Sequence, residues 1–178
     1  MIIKKTNFKG LLIVKQTDNK DSRGSLRETF NSKILKKKFV FEYCTTSKAN
    51  VFRGFHFQTK NKQSKYVNVV KGKILDIVID LRQRSKTFGK VFSIILSKKN
   101  ALGLYIPAGF AHGYYSYDEE NIIYYKLDNY YNPKNESGII YKDPSLNLSI
   151  LKKKNIKVSK KDKKLMSLSQ FKKKTKFL

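Results

Sequence analysis

The segment Lys73–Asp80, KILDIVID, decides the fold. Between Lys73 and Asp80 it is a run of β-branched and other apolar residues with a single charged residue, Asp76. It follows a Lys-Gly-Lys turn at Gly72 and predicts a buried strand. Eight further segments show the same enrichment or a period-two alternation. They are Leu11–Val14, Phe39–Thr46, Val51–Phe57, Tyr66–Val70, Lys90–Leu96, Gly103–Ile106, His112–Tyr117 and Asn121–Leu127. Short strands with hairpin-length connections predict an all-β fold, an antiparallel sandwich or barrel of the jelly-roll type.

Helices are predicted only near the ends of the strand-rich region. Asn31–Lys38 fits one short helix, and Ser159 followed by Asp162 fits a capping box that opens a carboxy-terminal helix. No repeat or linker divides the chain, so residues 1–178 are predicted to form a single domain. Segment 149–178 carries 12 lysines against one aspartate and is expected to be a solvated, lysine-rich tail.

The charge indicates the kind of partner. The chain of 178 residues has 39 basic and 13 acidic side chains, a formal net charge of +26, and 34 of the basic residues are lysines. Recognition of bases and phosphates in nucleic acids favours the bidentate arginine guanidinium, so no nucleic-acid partner is predicted. A lysine-rich surface would attract an anionic small substrate, and a non-catalytic module that binds a polyanion is the alternative.

Other features of the composition exclude several classes of protein. One cysteine and two histidines cannot form an intramolecular disulfide, and they cannot form a zinc site unless carboxylates supply most of the ligands. The longest apolar runs are far shorter than the ~20 residues of a membrane-spanning helix, and the amino terminus lacks an apolar signal core. We therefore expect a cytoplasmic protein with no metal and no membrane partner.

Both histidines lie in glycine-punctuated aromatic segments. In the segment 53–58, RGFHFQ, strand alternation places His56 on one face with Gly54 and Gln58, and the two phenylalanines on the other. Arg53 falls on the phenylalanine face unless a bulge at Gly54 turns it. His112 follows a Pro-Ala-Gly turn at the start of a strand. Polar groups that point into a barrel usually line a pocket, although a hydrogen-bonded core histidine is the alternative for each.

Three more side chains are predicted to point inward: Lys65, Asp76 and Tyr125. Asp76 needs a partner within its apolar strand, for which a lysine ion pair is the simplest alternative, and Tyr125 could be a core residue. Together with histidine they would supply a base near neutral pH, an orienting carboxylate, a cation for an oxyanion and a weak acid. This set fits proton abstraction beside a carbonyl, and no nucleophile elbow for acyl transfer is present in the sequence.

At these residues the sequence resembles the dTDP-4-dehydrorhamnose 3,5-epimerases, which are sugar-nucleotide epimerases with a cupin-type jelly roll. The resemblance extends from about residue 21 to residue 162. Its matching segments are Asp21–Gly24 with Glu28, Asn50–Gln58, Gln63–Lys65, Asp76–Arg82, Ser85–Gly89, Leu96–Ser97, Tyr105–Gly113, Tyr125–Lys126 with Asn129–Tyr131, and Asp143–Pro144. In this order and spacing the segments are highly specific.

The resemblance implies roles for individual residues. His56 resembles the catalytic base, Asp162 the carboxylate that pairs with it, Lys65 the cation that faces the C4 oxygen of the sugar, and Tyr125 the acid on the opposite face of the ring. A further set resembles positions that contact or support the substrate: Arg23, Glu28, Arg53, Asp76, His112, Glu136 and Lys161. The family implies a nucleotide-diphosphate sugar substrate, no cofactor, and a homodimer in which Arg23 and Glu28 reach the neighbouring subunit's nucleotide.

This chain departs from the family on the nucleotide side. Where the family commonly has a glutamine and an asparagine that contact thymine, it has Phe41 and Tyr43. Aromatic rings offer stacking area without the paired donor and acceptor of an amide, and Glu28 or Glu42 could accept hydrogen bonds from guanine. We therefore expect a GDP-linked 4-keto-6-deoxy sugar, such as a heptose, in preference to a dTDP-linked one. The alternative is that Phe41 and Tyr43 point into the core.

Two rival functions stay open. A sugar-nucleotide 3,4-ketoisomerase of similar fold would have a second histidine two residues after His56, where this chain has Gln58. The non-catalytic basic module would be favoured by loss of the lysine, tyrosine or aspartate of the site, and all are present. The sequence therefore predicts an epimerase that acts at C3, C5 or both carbons.

Overall fold

The computed structural model describes residues 1–152 and 154–174. The strands of these residues are β1 (Ile2–Lys5), β2 (Leu12–Lys15), β3 (Thr17–Asp21), β4 (Gly24–Glu28), β5 (Phe41–Ser47), β6 (Phe52–Gln58), β7 (Lys65–Lys71), β8 (Lys73–Asp80), β9 (Val91–Ser97), β10 (Leu102–Ile106), β11 (Phe110–Ser116), β12 (Asn121–Leu127) and β13 (Glu136–Gly138). The α-helices are α1 (Ser32–Leu35) and α2 (Leu168–Lys173), and single 3₁₀ turns lie at Pro133–Asn135, Pro144–Leu146, Ser149–Lys152 and Asp162–Lys164.

The strands form two antiparallel sheets and a separate hairpin. The six-stranded sheet has the order β1-β2-β10-β7-β12-β5, and the five-stranded sheet has the order β13-β6-β11-β8-β9. Strands β3 and β4 pair only with each other, through a two-residue turn between Asp21 and Gly24. The prediction of an all-β antiparallel jelly roll with short helices is confirmed.

The position of β8 in the fold explains why its sequence is apolar on both faces. Ile74 and Val78 belong to the core between the two sheets, whereas Ile77 and Ile79 belong to a second core on the other side of the five-stranded sheet. The period-two alternation of a strand thus places Asp76 on the face toward the six-stranded sheet. Both faces of β8 are buried, which gives a nearly continuous apolar run.

The second core corrects the expectation of a solvated tail for the described part of segment 149–178, while residues 153 and 175–178 lie outside the described residues. Leu168 and Phe171 of α2 are buried, and Phe171 packs edge-on against Phe57 of β6 at 5.5 Å between ring centroids. The lysines at positions 154, 157, 160, 161, 163, 164 and 172–174 are exposed between such apolar anchors. The segment therefore covers the five-stranded sheet.

The helix predictions were only partly right. The helix expected over Asn31–Lys38 spans only Ser32–Leu35, with Asn31 as its N-cap. The carboxy-terminal helix begins at Leu168, where Ser167 and Gln170 form the capping box. The Asp162 N–H does donate to Ser159 Oγ at 3.0 Å, but only one 3₁₀ turn follows. None of the helices in the described ranges is long and apolar enough to span a membrane.

Candidate active site

A bulge in β6 brings Arg53 and His56 to the same face of the strand. His112 of β11 pairs with His56, but Tyr114, two residues later, pairs with Arg53, so β6 contains one extra residue between these pairs. Gly54 lies at the bulge with φ +132°, and a Cβ there would lie 2.5 Å from the Cα of Gly113. Glycine is therefore required at position 54, and the conditional prediction that a bulge turns Arg53 is confirmed.

Arg53 and His56, on either side of the bulge, line a cleft between the two sheets that has a cavity volume of about 500 Å³. Eight residues that the sequence analysis singled out line it: Tyr43, Arg53, His56, Lys65, His112, Tyr125, Lys161 and Asp162. They come from five strands and from the carboxy-terminal segment. Residues distant in sequence are thus brought together in one partly enclosed site, as expected for a small-molecule pocket.

His56 and Asp162 form a hydrogen-bonded pair in the cleft. His56 Nε2 lies 2.8 Å from Asp162 Oδ1, and the Gly54 N–H donates to Asp162 Oδ2 at 3.2 Å. Burial of Asp162 opposes ionisation, but the hydrogen bond and charge interaction with His56, together with hydrogen bonds involving Gly54 and Ser159, lower the pKa of Asp162 overall. An ionised Asp162 can accept a hydrogen bond from the Nε2–H of His56, and in that tautomer the neutral ring has its lone pair on Nδ1.

A second carboxylate lies beside the same imidazole. Glu136 Oε1 is 3.7 Å from His56 Nδ1, and Glu136 Oε2 accepts from the Tyr131 hydroxyl at 2.8 Å and from Lys161. Burial acts to raise the pKa of Glu136, but the hydrogen bonds from Lys161 and Tyr131 lower it overall. Glu136 therefore stands as an anion next to the cleft, although it does not line it.

His112 forms a hydrogen bond with Asp76. The distance between His112 Nε2 and Asp76 Oδ2 is 2.9 Å, and both side chains are buried. The partner of Asp76 is thus a histidine and not the lysine of the simplest alternative. Asp76 itself does not line the cleft; it orients His112, which does.

Lys65 and Tyr125 complete the titratable groups of the cleft. Burial lowers the pKa of Lys65 to about 8, against the raising effect of Glu136 and Asp76. Burial also raises the pKa of Tyr125 well above 10, with smaller contributions from Tyr114, Tyr43 and Asp76. At neutral pH the cleft therefore contains an ammonium group and a protonated phenol, which are the states needed for an oxyanion partner and an acid.

The aromatic residues of β5 take different positions. Tyr43 lines the cleft and stacks on Tyr125 at 4.7 Å between ring centroids, whereas Phe41 packs against Tyr43 and Tyr130 and does not line it. Glu42 points to the opposite face, where it contacts Lys126 and Tyr124. Strand alternation therefore directs Glu42, which was expected as a possible acceptor for guanine, away from the cleft of its own chain.

Arg23 and Glu28 lie outside the cleft of their own chain. Arg23 is on the turn of the β3–β4 hairpin and pairs with Asp21, with 88% of its side chain exposed. Glu28 accepts from the Asn31 amide at 2.7 Å and lies 3.6 Å from the amino-terminal ammonium group. Within one chain, these two residues are not part of the site.

The cleft also contains residues that the sequence analysis did not propose. Thr45 lies two positions after Tyr43 on β5, and Tyr114 lies two positions after His112 on β11. The period-two alternation of a strand places them on the same face as Tyr43 and His112 and could have identified them. No sequence pattern identified Lys157, because it lies outside the named strands and reaches the cleft next to an isolated parallel bridge to Val51.

Comparison with known proteins adds a family to this geometry. The family model described as dTDP-4-dehydrorhamnose 3,5-epimerase matches residues 5–170. An enzyme of that name from Methanothermobacter thermautotrophicus is 38% identical over 149 residues, which are 81% of this chain and 80% of that protein. The Escherichia coli enzyme of that name is 32% identical over 177 residues, 96% of each chain.

A solved structure shows the same likeness in three dimensions. The dTDP-6-deoxy-D-glucose-3,5-epimerase from Legionella pneumophila, crystallised in complex with dTDP-4-keto-L-rhamnose, matches with a TM-score of 0.89 and 33% identity. The match covers 94% of this chain and 93% of that one. The likeness confirms the cupin-type form of the predicted jelly roll.

Proposed function

Because the chain belongs to the dTDP-4-dehydrorhamnose 3,5-epimerase family, and is therefore an isomerase, we propose that it inverts C3, C5 or both carbons of a dTDP-linked 4-keto-6-deoxy sugar. The observation that carries the proposal is the convergence of the His56–Asp162 pair, Lys65 and Tyr125 in one cleft. These groups match the roles that the family resemblance assigns to a base, an oxyanion partner and an acid.

The proposed reaction proceeds through an enolate. The C4 carbonyl acidifies the C–H bonds at C3 and C5. His56 removes one of these protons, and the electron pair of the broken C–H bond moves toward the C4 oxygen. Lys65 stabilises the negative charge that develops there, and Tyr125 returns a proton to the opposite face of the carbon. Proton removal and proton return balance, so the carbon is inverted without any net oxidation or reduction.

The direct test of this function follows hydrogen isotopes. The protein is incubated in heavy water with a dTDP-linked 4-keto-6-deoxy sugar, and the deuterium at C3 and C5 is counted by NMR spectroscopy. We expect uptake of deuterium at one or both carbons together with inversion. The absence of both exchange and inversion, in a folded protein that binds dTDP, would contradict the proposal.

The hydrogen bonds of Gln58 favour the epimerase over the 3,4-ketoisomerase. Gln58, at the position where the rival has its second histidine, uses its amide on backbone groups of neighbouring loops. Its Nε2 donates to the carbonyls of Asn61 at 2.7 Å and Tyr130 at 3.3 Å, and its Oε1 accepts from the Asn132 N–H at 2.6 Å. Gln58 thus holds loops in place and leaves His56 as the proposed base.

The nucleotide is proposed to be dTDP. The relatives are named for dTDP sugars, and Glu42, one of the two carboxylates expected to bind guanine, faces away from the cleft. The expectation of a GDP-linked heptose is not supported by these observations and stays a prediction to be tested against the dTDP proposal.

We expect dTDP to bind more tightly than GDP, because the relatives that this chain resembles are named for dTDP sugars and Glu42, a candidate acceptor for the N–H groups of guanine, faces away from the cleft. Isothermal titration calorimetry with the two nucleotides measures the difference, with thymidine as a control for the contribution of the diphosphate. Tighter binding of GDP would restore the guanine expectation and would leave the epimerase proposal intact.

A homodimer with shared sites is the proposed assembly. The β3–β4 hairpin stands outside both sheets and exposes 73% of Leu26 as well as Arg23. A twofold pairing could place Arg23 and Glu28 at the partner's nucleotide, as the family resemblance implies. Sedimentation at the assay concentration tests this proposal, since a fully active monomer would contradict it.

The protonation state of Lys65 should be visible in the pH profile. Its folded pKa of about 8 lies below the usual 10.5 because of burial. The protonated form is the one that stabilises the enolate, so we expect kcat/KM to fall as the pH rises through about 8. The Lys65→Arg variant retains its proton, so its descending limb should move to higher pH. Lys126→Arg is the control, because Lys126 pairs with Glu42 and does not line the cleft, and it should leave the limb unchanged. An unchanged limb in Lys65→Arg would assign it to another group.

A further inference from the structure

The guanidinium of Arg53 is hydrogen-bonded to the end of β5. Its Nε donates to Ser47 Oγ at 3.0 Å, and its Nη2 donates to the carbonyl of Thr46 at 3.2 Å. Ser47 Oγ also lies 2.8 Å from the Tyr114 hydroxyl, which lies 3.0 Å from Thr45 Oγ1. Arg53 belongs to β6 of the five-stranded sheet and Ser47 to β5 of the six-stranded sheet. The contact therefore links the two sheets at the wall of the cleft.

The two hydroxyl groups beside Arg53 are fixed in the sheets. Ser47 is buried, pairs with Asn121 of β12, and accepts a hydrogen bond at its carbonyl from the Asn121 amide at 3.0 Å. Tyr114 is also buried, and it pairs with Arg53 between β11 and β6. Arg53 itself is exposed. A long, exposed side chain is thus anchored through its guanidinium to hydroxyl groups that are buried between the sheets.

These contacts leave one edge of the guanidinium for a ligand. Arginine has five N–H groups and no acceptor. The contacts with Ser47 and Thr46 use the edge that contains Nε and one hydrogen of Nη2. The other edge, formed by Nη1 and the second hydrogen of Nη2, can therefore bind two oxygens of an anion. Both protein partners are neutral oxygens, so these contacts do not neutralise the charge of Arg53.

The cationic side chains that line the cleft in the described ranges differ in their partners. Lys161 contacts Glu136, and Lys65 is proposed for the C4 oxygen. Arg53 and Lys157 also line the cleft, and they are available for the diphosphate, which is the anionic part of a nucleotide sugar. The planar arginine fork matches phosphate oxygens, whereas a lysine acts as a point charge. Binding of the diphosphate therefore depends on the orientation of Arg53.

We propose that Ser47 is a positioning residue, whose hydroxyl, held by Tyr114, fixes the guanidinium of Arg53 so that its free edge binds the diphosphate of the substrate. The inference rests on the proposed function. A guanidinium that is oriented before the ligand arrives loses less conformational entropy on binding. The diphosphate is not changed by the reaction, so its contacts stabilise the ground state and the transition state equally. Their loss should raise KM and leave kcat unchanged.

The direct test removes the serine hydroxyl. In Ser47→Ala we expect dTDP to bind about 10-fold more weakly, the effect of losing one hydrogen bond to a charged group. Isothermal titration calorimetry measures this affinity. Thymidine, which lacks the diphosphate, should bind as in the wild type, as measured by NMR titration. With a dTDP-linked 4-keto-6-deoxy sugar, KM should rise by a similar factor, while kcat for inversion stays at the wild-type value.

Two further variants separate positioning from a general structural defect. Arg53→Met removes the guanidinium, so adding Ser47→Ala in that background should cause little further loss of dTDP affinity. Such non-additive losses are expected when the hydroxyl acts through Arg53. Ser93→Ala makes the same change at an exposed position of β9, and it should leave both affinities unchanged.

A second variant changes the surroundings of the serine and keeps its own hydroxyl. Tyr114→Phe removes the hydroxyl beside Ser47 Oγ, and it should also weaken binding of dTDP but not of thymidine. Wild-type dTDP affinity in both Ser47→Ala and Tyr114→Phe, equal losses of thymidine affinity, or additive losses with Arg53→Met would overturn the proposal. Failure of the proposed function would be seen differently, because the wild-type protein would bind dTDP with this dependence on Ser47 and show neither exchange nor inversion.

Discussion

Replacing His56 by asparagine is expected to abolish deuterium exchange at both C3 and C5, a loss of at least about 10²–10⁴-fold for a general base. His56 is the imidazole that pairs with Asp162 in the cleft, while His112 is bound to Asp76. Of the two described imidazoles that line the cleft, only His56 pairs with a carboxylate that also lines it. Exchange is measured by NMR spectroscopy in heavy water.

The control for this variant is the fold itself. Asparagine fits the partly exposed position of His56, so the thermal unfolding midpoint and dTDP binding should change little. Asp162→Asn offers a graded comparison, because an amide oxygen can still accept a hydrogen bond from the Nε2–H of His56 while the negative charge is lost. We expect that variant to fall between wild type and His56→Asn. Exchange in His56→Asn at near the wild-type rate would show that the base is misassigned.

Tyr125→Phe is expected to separate exchange from inversion. The variant keeps the base and the Lys65 cation, so His56 should still remove a proton and return a deuteron to the same face. Return from the opposite face should be lost, since the phenol that supplies it is gone. NMR spectroscopy of the product should therefore show deuterium at the original configuration and inversion reduced by about 10²-fold or more.

The neighbouring residue provides a matched control. Tyr124 lies one position before Tyr125 on β12 but faces the opposite side, where it contacts Glu42 and Lys126. Tyr124→Phe makes the same chemical change on the same strand and should keep both exchange and inversion. Unchanged inversion in Tyr125→Phe would mean that water or another group supplies the proton.

The strands that could be predicted from the sequence are those whose faces differ in environment or are both buried. The bounds of β8 and β12 agree with the prediction residue for residue, because their apolar patterns are dictated by the cores they enter. Strands β1, β3, β4 and β13 were missed, because their residues are mostly exposed or partly exposed and show no clear alternation. Their pairing depends on backbone hydrogen bonds that leave no mark in composition.

The residues of the site likewise fall into those that local sequence patterns could place and those that they could not. Side chains on regular strands, such as His112 and Tyr125, could be placed inward by alternation. Arg53 could be placed only conditionally, since its direction depends on the bulge at Gly54. For Asp162, the local capping interpretation predicted a helix, and only the family resemblance linked it to His56. A contact between residues 106 positions apart depends on how the carboxy-terminal segment crosses the sheet, and local patterns do not contain that information.

The way Asp162 reaches His56 also has a consequence for the energetics of local opening. Asp162 belongs to the segment that covers the second core through Leu168 and Phe171, while His56 belongs to a sheet anchored on both faces. Regions of a protein open with different free energies, and segments held by few side chains open before central strands. Detachment of this segment would leave the barrel folded and the imidazole without its carboxylate. The fraction of molecules with an intact His56–Asp162 pair is therefore limited by the stability of this carboxy-terminal segment. Loss of activity on warming should precede melting of the sheets.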